Sequence, residues 1–189
     1  MTDLELWQEL KQGSKKALES IYAEHASALL KYGAKFSLDE QLVEDCVHDL
    51  FIELWKNREG IGQTDSIRKY LLVALRRKII REVGRSSKHI SGEEPQEYQF
   101  EATLSIDQNL ITAEIEQARQ QQLKAALNAL SSRQKEIIYL KYFNGMDNQS
   151  ISEILDINYQ SVRNLLSRTL KALKTHFEAW WILICYFFN

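Results

Sequence analysis

The sequence predicts an all-α protein, two helical domains joined by an acidic linker. Three observations predict it. Only one Pro and 7 Gly interrupt 189 residues rich in Leu, Ile, Ala, Gln, Glu and Lys, a composition that favours helix nearly throughout. Apolar residues recur near the 3.6 period in one segment after another. The formal net charge of −2 conceals two opposed blocks. Arg68, Lys69, Arg76, Arg77, Lys78, Arg81, Arg85 and Lys88 stand against Glu82 alone, a net +7. From Glu93 to Glu116 seven acids occur with no Lys or Arg, a net −7.

Each element follows in order. Thr2 and Glu5 form a capping box before a short helix carrying Leu4, Trp7 and Leu10, and Gly13-Ser14 ends it. The next helix sets Leu18, Ile21, Tyr22, Ala26 and Leu29 on one face. After Ser37-Leu38-Asp39 comes the cleanest stripe in the chain, Val43, Val47, Leu50, Phe51, Leu54 and Trp55. A loop over 59–65 precedes a fourth helix from about Ser66 to Val83. From Gly84 to about Gln108 the pattern dissolves. Ile111 to Ala129 is again helical, and Ser131 with Gln134 caps a helix that Asn144-Gly145 closes. Helices at about Asn148–Leu155 and Tyr159–Lys174 complete the layout. The expected division is an N-terminal domain over 1–88, the acidic linker over 89–109, a helix-turn-helix domain over 110–176 and an apolar tail over 177–189.

Several classes are excluded on these grounds. At 44% apolar and 26% charged residues, the chain is neither low-complexity nor disordered overall. Cys46 and Cys185 form no CxxC pair, and no export signal opens the chain, so a reducing cytoplasm is expected rather than a disulfide framework. The apolar run Trp180–Phe188 is too short to span a bilayer. It is expected to cover the C-terminal domain, with binding a partner or touching membrane as the alternatives. His25, His48, His89 and His176 are scattered, and no phosphate loop or HExxH motif occurs. No catalytic residue, metal site, cofactor or small-molecule substrate is therefore expected.

Two segments point to nucleic acid. Residues 145–163 have helix-turn-helix proportions, with Asp147 and Asn158 as caps and Ile151, Ile154, Leu155, Ile157 and Val162 spaced to pack. On the second helix Val162, Leu165, Leu166, Thr169, Leu170 and Leu173 are the expected buried stripe. The opposite face, Gln160, Ser161, Arg163, Asn164, Ser167, Arg168 and Lys171 with Tyr159 at its start, contains no acid. Arg, Asn and Gln read base edges in a major groove, while Lys and Ser hold phosphates. In the fourth helix Ile67, Leu71, Ala74, Leu75 and Ile79 face inward, leaving Arg68, Tyr70, Arg76, Arg77 and Arg81 for a single strand. Cations beside an aromatic ring are what such a strand requires.

Leu130-Ser131-Ser132-Arg133-Gln134-Lys135-Glu136-Ile137, together with Gly145-Met146 and the helix pair, resembles the promoter-distal DNA-binding domain of bacterial sigma factors. Val43 to Trp55 is similar to that family's most characteristic helix, and Ile67-Arg68-Lys69-Tyr70-Leu71 to the start of its strand-engaging helix. Both motifs in this order and at this length resemble the extracytoplasmic-function (ECF) class. Asp156 stands where the family has a turn Gly, and Arg77 where it commonly has Asn. The resemblance implies a sigma factor that binds core RNA polymerase and directs initiation at promoter DNA. It also implies a controlling anti-sigma protein. The polymerase would meet Glu44, Asp45, His48, Asp49 and Glu53, and the 60–65 loop would accept a flipped promoter base. The alternative is a stand-alone helix-turn-helix regulator with an N-terminal interaction domain.

Overall fold

The structure is a computed structural model that describes residues 2–91, 98–101 and 124–187, with side chains described as far as Arg85 in the fourth helix and Thr175 in the last. Among the described residues there are helices and no strand. The chain divides into two compact units, Met1–Gln99 and Phe100–Asn189.

Unit 1 holds α1 (Asp3–Lys11), α2 (Lys15–Gly33), α3 (Glu40–Lys56) and α4 (Ile67–Ser91). Each of the first three starts is set by a local hydrogen bond. Thr2 and Glu5 cap α1 reciprocally, and Ser14 and Asp39 accept the Ala17 and Leu42 amides at the starts of α2 and α3. Gly13, at φ +87°, makes the reversal between α1 and α2. The core joins Trp7, Leu10, Ile21, Leu29, Tyr32, Val43, Leu50, Leu54, Ile67, Leu71, Leu75 and Ile79, all buried. α2 and α3 meet closely at Gly33, where a Cβ would lie 2.7 Å from Val43 Cγ1.

Three expectations need correction here. Leu4 is exposed and Leu6 takes its place inside, beside the Trp7 and Leu10 positions. Tyr22 is exposed, its ring meeting Phe51 edge-on at 4.9 Å. α4 does not end at Val83 but crosses Gly84 and runs to Ser91. Glycine costs a helix about 1 kcal/mol, but propagation adds a hydrogen bond for each residue fixed. Glu82 also binds Arg85 across that position at 3.0 Å.

In unit 2, residues 124–128 are helical, followed by α5 (Ser132–Ile138), a π-helical turn (Tyr139–Phe143), α6 (Asn148–Leu155) and α7 (Tyr159–Phe187). Ser131 and Gln134 form the second capping box. The π turn carries the backbone from Asn144 N–H back to the Tyr139 carbonyl at 3.0 Å. Gly145, at φ +64°, then releases the chain toward α6. Ile151, Ile154, Leu155, Val162 and Leu166 form the seam between α6 and α7. α7 passes the expected end at Lys174 because no Gly or Pro follows to stop it before Phe187. The expected helix over 111–123, most of the acidic linker and the side chains of the apolar tail lie outside the described residues.

Candidate nucleic-acid and polymerase interfaces

The α6–α7 pair is a helix-turn-helix. Asp147 accepts the Ser150 amide at 2.6 Å, and Asn158 accepts the Ser161 amide at 2.7 Å. Between the helices Asp156 adopts φ 54° and ψ 53°, the left-handed conformation that a short polar side chain tolerates. The Ile157 amide closes the turn onto the Ser152 carbonyl at 3.0 Å. Ser152 itself is buried, its hydroxyl donating to the Gln149 carbonyl.

That seam turns the polar face of α7 outward. Gln160, Arg163, Asn164, Ser167, Arg168 and Lys171 are exposed and Ser161 is half-buried. Gln160 donates to the Asn164 side chain at 3.2 Å, which pre-orients two exposed side-chain amides one turn apart. Arg163, Arg168 and Lys171 make no ion pair among the described residues. Thr169 is fully buried and its hydroxyl donates to the Leu165 carbonyl. Leu170 departs from expectation: it is 43% exposed. At about 100° per residue it sits on the edge of the stripe, next to Arg163 and Tyr159 rather than behind them.

The α4 set does not come together as a single group. Tyr70, Arg77 and Arg81 fall within about 40° of one another around the helix. Arg77 and Arg81 are exposed, while Tyr70 is half-buried with its ring edge-on to Trp7 at 4.8 Å. Burial also raises the Tyr70 hydroxyl above the usual tyrosine range. Arg76 lies about 100° from Arg77, with its guanidinium 5.0 Å from the ring centre of Tyr98. Tyr98 in turn packs against Phe36 at 5.7 Å. Arg68 is half-buried on the side nearest the core. Lys78, counted in the basic block, is only 8% exposed and binds Glu53 at 2.8 Å and Asp49 at 3.5 Å. Burial pulls its ammonium down, but the Glu53 hydrogen bond and both carboxylates outweigh that and hold it above the ordinary lysine value.

Glu44, Asp45, His48, Asp49 and Glu53 are all exposed on α3. Asp49 and Glu53 form the edge nearest α4 through Lys78, and Asp45 accepts from Gln41 at 2.9 Å. Sequence reasoning missed Ile52, an apolar side chain at the centre of this acidic arc with 36% of its surface exposed. Its position between His48 and Lys56 on the polar side of the helix was the available signal. The loop ahead of α4 keeps Gly62 and Gln63 exposed, with Ile61 and Thr64 buried. Thr64 Oγ1 accepts the Ser66 amide and donates to the Ser66 carbonyl.

The Sigma-70 region 2 family matches residues 21–89, and the Sigma-70, region 4 family matches residues 120–173. Together they span about two thirds of the chain, in this order. The ECF RNA polymerase sigma factor SigL of Mycobacterium tuberculosis is 25% identical over 165 residues, covering 83% of this chain and 86% of SigL. The chain belongs to the ECF class of sigma factors. A sigma factor binds core RNA polymerase and directs initiation at promoters, and that is its function. The region 2 match gives the N-terminal half a role that a stand-alone regulator would not use. Two solved structures are among those that share the fold. One is CnrH in complex with the cytosolic domain of CnrY, with TM-score 0.63, 19% identity, and 94% of this chain and 97% of that chain covered. The other is the sigma factor RpoE in complex with the anti-sigma factor NepR from Bartonella quintana, with TM-score 0.59, 19% identity, and 86% and 98% covered.

Proposed function

We propose that this sigma factor divides promoter recognition between its two units. Unit 2 reads the upstream element as duplex, through Tyr159, Gln160, Ser161, Arg163, Asn164, Ser167, Arg168 and Lys171. The observation that carries this assignment is the acid-free, outward face of α7 above a buried helix-turn-helix seam. In unit 1, Arg77 and Arg81 hold the melted strand with the exposed part of Tyr70, Arg76 guides it from one flank, and Arg68, on the core side of α4, has no direct part in it. Cationic side chains along one helix next to an aromatic ring suit a backbone with unstacked bases. The outer face of α3, Glu44, Asp45, His48, Asp49 and Glu53 around Ile52, docks on core polymerase. The expected domain limits, 1–88 and 110–176 with a linker between, describe this division of labour.

On this reading the chain performs no chemistry of its own and works in the cytoplasm, where the polymerase is. An anti-sigma protein holds it inactive, by analogy with the RpoE relative captured with NepR. The test is transcription in vitro by purified core polymerase and this chain over a genomic library, with start sites mapped. Start sites sharing two spaced elements support the reading. Transcription that begins at random, or only when another sigma factor is added, overturns it.

A further inference from the structure

We propose that α1 is the strut that sets the shape of the 61–66 loop, and that Trp7 and Lys11 are positioning residues for base selection at the promoter-proximal element. The proposal rests on the reading that this loop receives a promoter base. Asp3, Trp7 and Lys11 are four residues apart and therefore share one face of α1. The indole Nε1 of Trp7 donates to the Gly62 carbonyl at 2.9 Å, and Lys11 Nζ donates to the Ile61 carbonyl at 2.7 Å. Asp3 Oδ2 accepts the Ile67 amide at 2.9 Å, capping α4 from 64 residues away. One helix face thus grips the loop backbone near both ends, while Gly62 and Gln63 stay exposed. The same Trp7 supports Tyr70 through an edge-on ring contact. The region 2 match begins at residue 21, so α1 lies outside it. A loop that must accept a flipped base gains from being held in shape beforehand, because ordering it on binding would weaken the contact.

The experiment uses the full chain on core polymerase with templates randomised across the proximal element, and reads selectivity position by position. Trp7→Phe keeps an aromatic ring and removes the donor, and Lys11→Met keeps the stem and removes the charge. Each is expected to lower selectivity at one or two positions by about threefold to tenfold, the net worth of a hydrogen bond. Lys11→Arg restores it, and upstream-element selectivity stays unchanged. Gln63→Ala reports on the loop itself. If Gln63→Ala lowers selectivity while Trp7→Phe and Lys11→Met do not, the strut is overturned. It is overturned equally if the α1 variants lower output to the same extent on every template, which marks a purely structural role. If Gln63→Ala also leaves selectivity intact, the base-receiving reading of the loop falls first.

Discussion

Arg163 and His25 show how single side chains carry different burdens in the two units. Arg163 is exposed at the start of α7 and makes no ion pair among the described residues, so its guanidinium is available to DNA. Arg163→Ala is expected to cost about 1–3 kcal/mol of discrimination at one upstream base pair. Band-shift titration on native and substituted duplexes checks this, and equal losses on specific and random DNA would reduce Arg163 to a phosphate contact. His25 is buried in α2, and its Nε2 has no hydrogen-bond partner among the described residues. Burial holds its pKa below the ordinary 6.5, against Glu24 and Asp3, which favour the charged form, while Arg68 reinforces the lowering. The unfolded chain therefore takes up a proton near pH 6.5 that the folded one refuses until the pH is lower. Unit 1 should lose stability as pH falls through that window, then level off below the folded value. Denaturant melts of His25→Leu should show a flatter pH profile between neutral and mildly acid buffer.

At the scale of elements, the close approach of α2 and α3 depends on Gly33. A methyl group there would strike Val43, a β-branched side chain with little rotamer freedom in a helix. Gly33→Ala should destabilise unit 1 by about 1–3 kcal/mol despite alanine's better helix propensity; a gain in melting temperature would contradict this packing. Lys78 ties α4 to α3, and its removal from water is tolerable because Glu53 and Asp49 meet it. Asp49→Ala combined with Glu53→Ala leaves the ammonium buried without these partners and should cost about 1–3 kcal/mol. Chemical denaturation of the double variant measures that loss. It also guards the polymerase assay, since a docking defect counts as an interface effect only where the helix pair remains folded.

Across the whole molecule, the proposed division of labour assigns opposite signs of charge to separate jobs along one chain. On that proposal a basic α4 and an acid-free α7 face serve DNA, while the outer side of α3 is acidic around Ile52. Combining Arg77→Ala with Arg81→Ala should slow promoter opening several-fold on duplex templates. It should matter much less on templates with a pre-melted bubble, where the strand has already been separated, and upstream-element binding should be unchanged. Permanganate reactivity of unpaired thymines reads the difference. Equal opening by the variant and the parent chain would remove these arginines from the strand path.

The sequence by itself determined where the described helices of both units begin, the capping boxes at Thr2 and Ser131 and the helix-turn-helix. All of these follow from neighbours within one or two turns, the range over which capping, periodicity and glycine conformation act. It also placed the polar face of α7, because a 3.6-residue period separates the two sides of a helix whatever it packs against. Tertiary structure decided the rest. Whether Lys78 is a DNA cation or an internal partner, whether Leu170 is core or surface, and whether Tyr70 is open or shielded by Trp7 depend on what lies across from each. The grip of Trp7 and Lys11 on carbonyls 55 and 50 residues away depends on it too. No local pattern encodes such contacts, since they exist only once distant helices have been brought together by burying a common core.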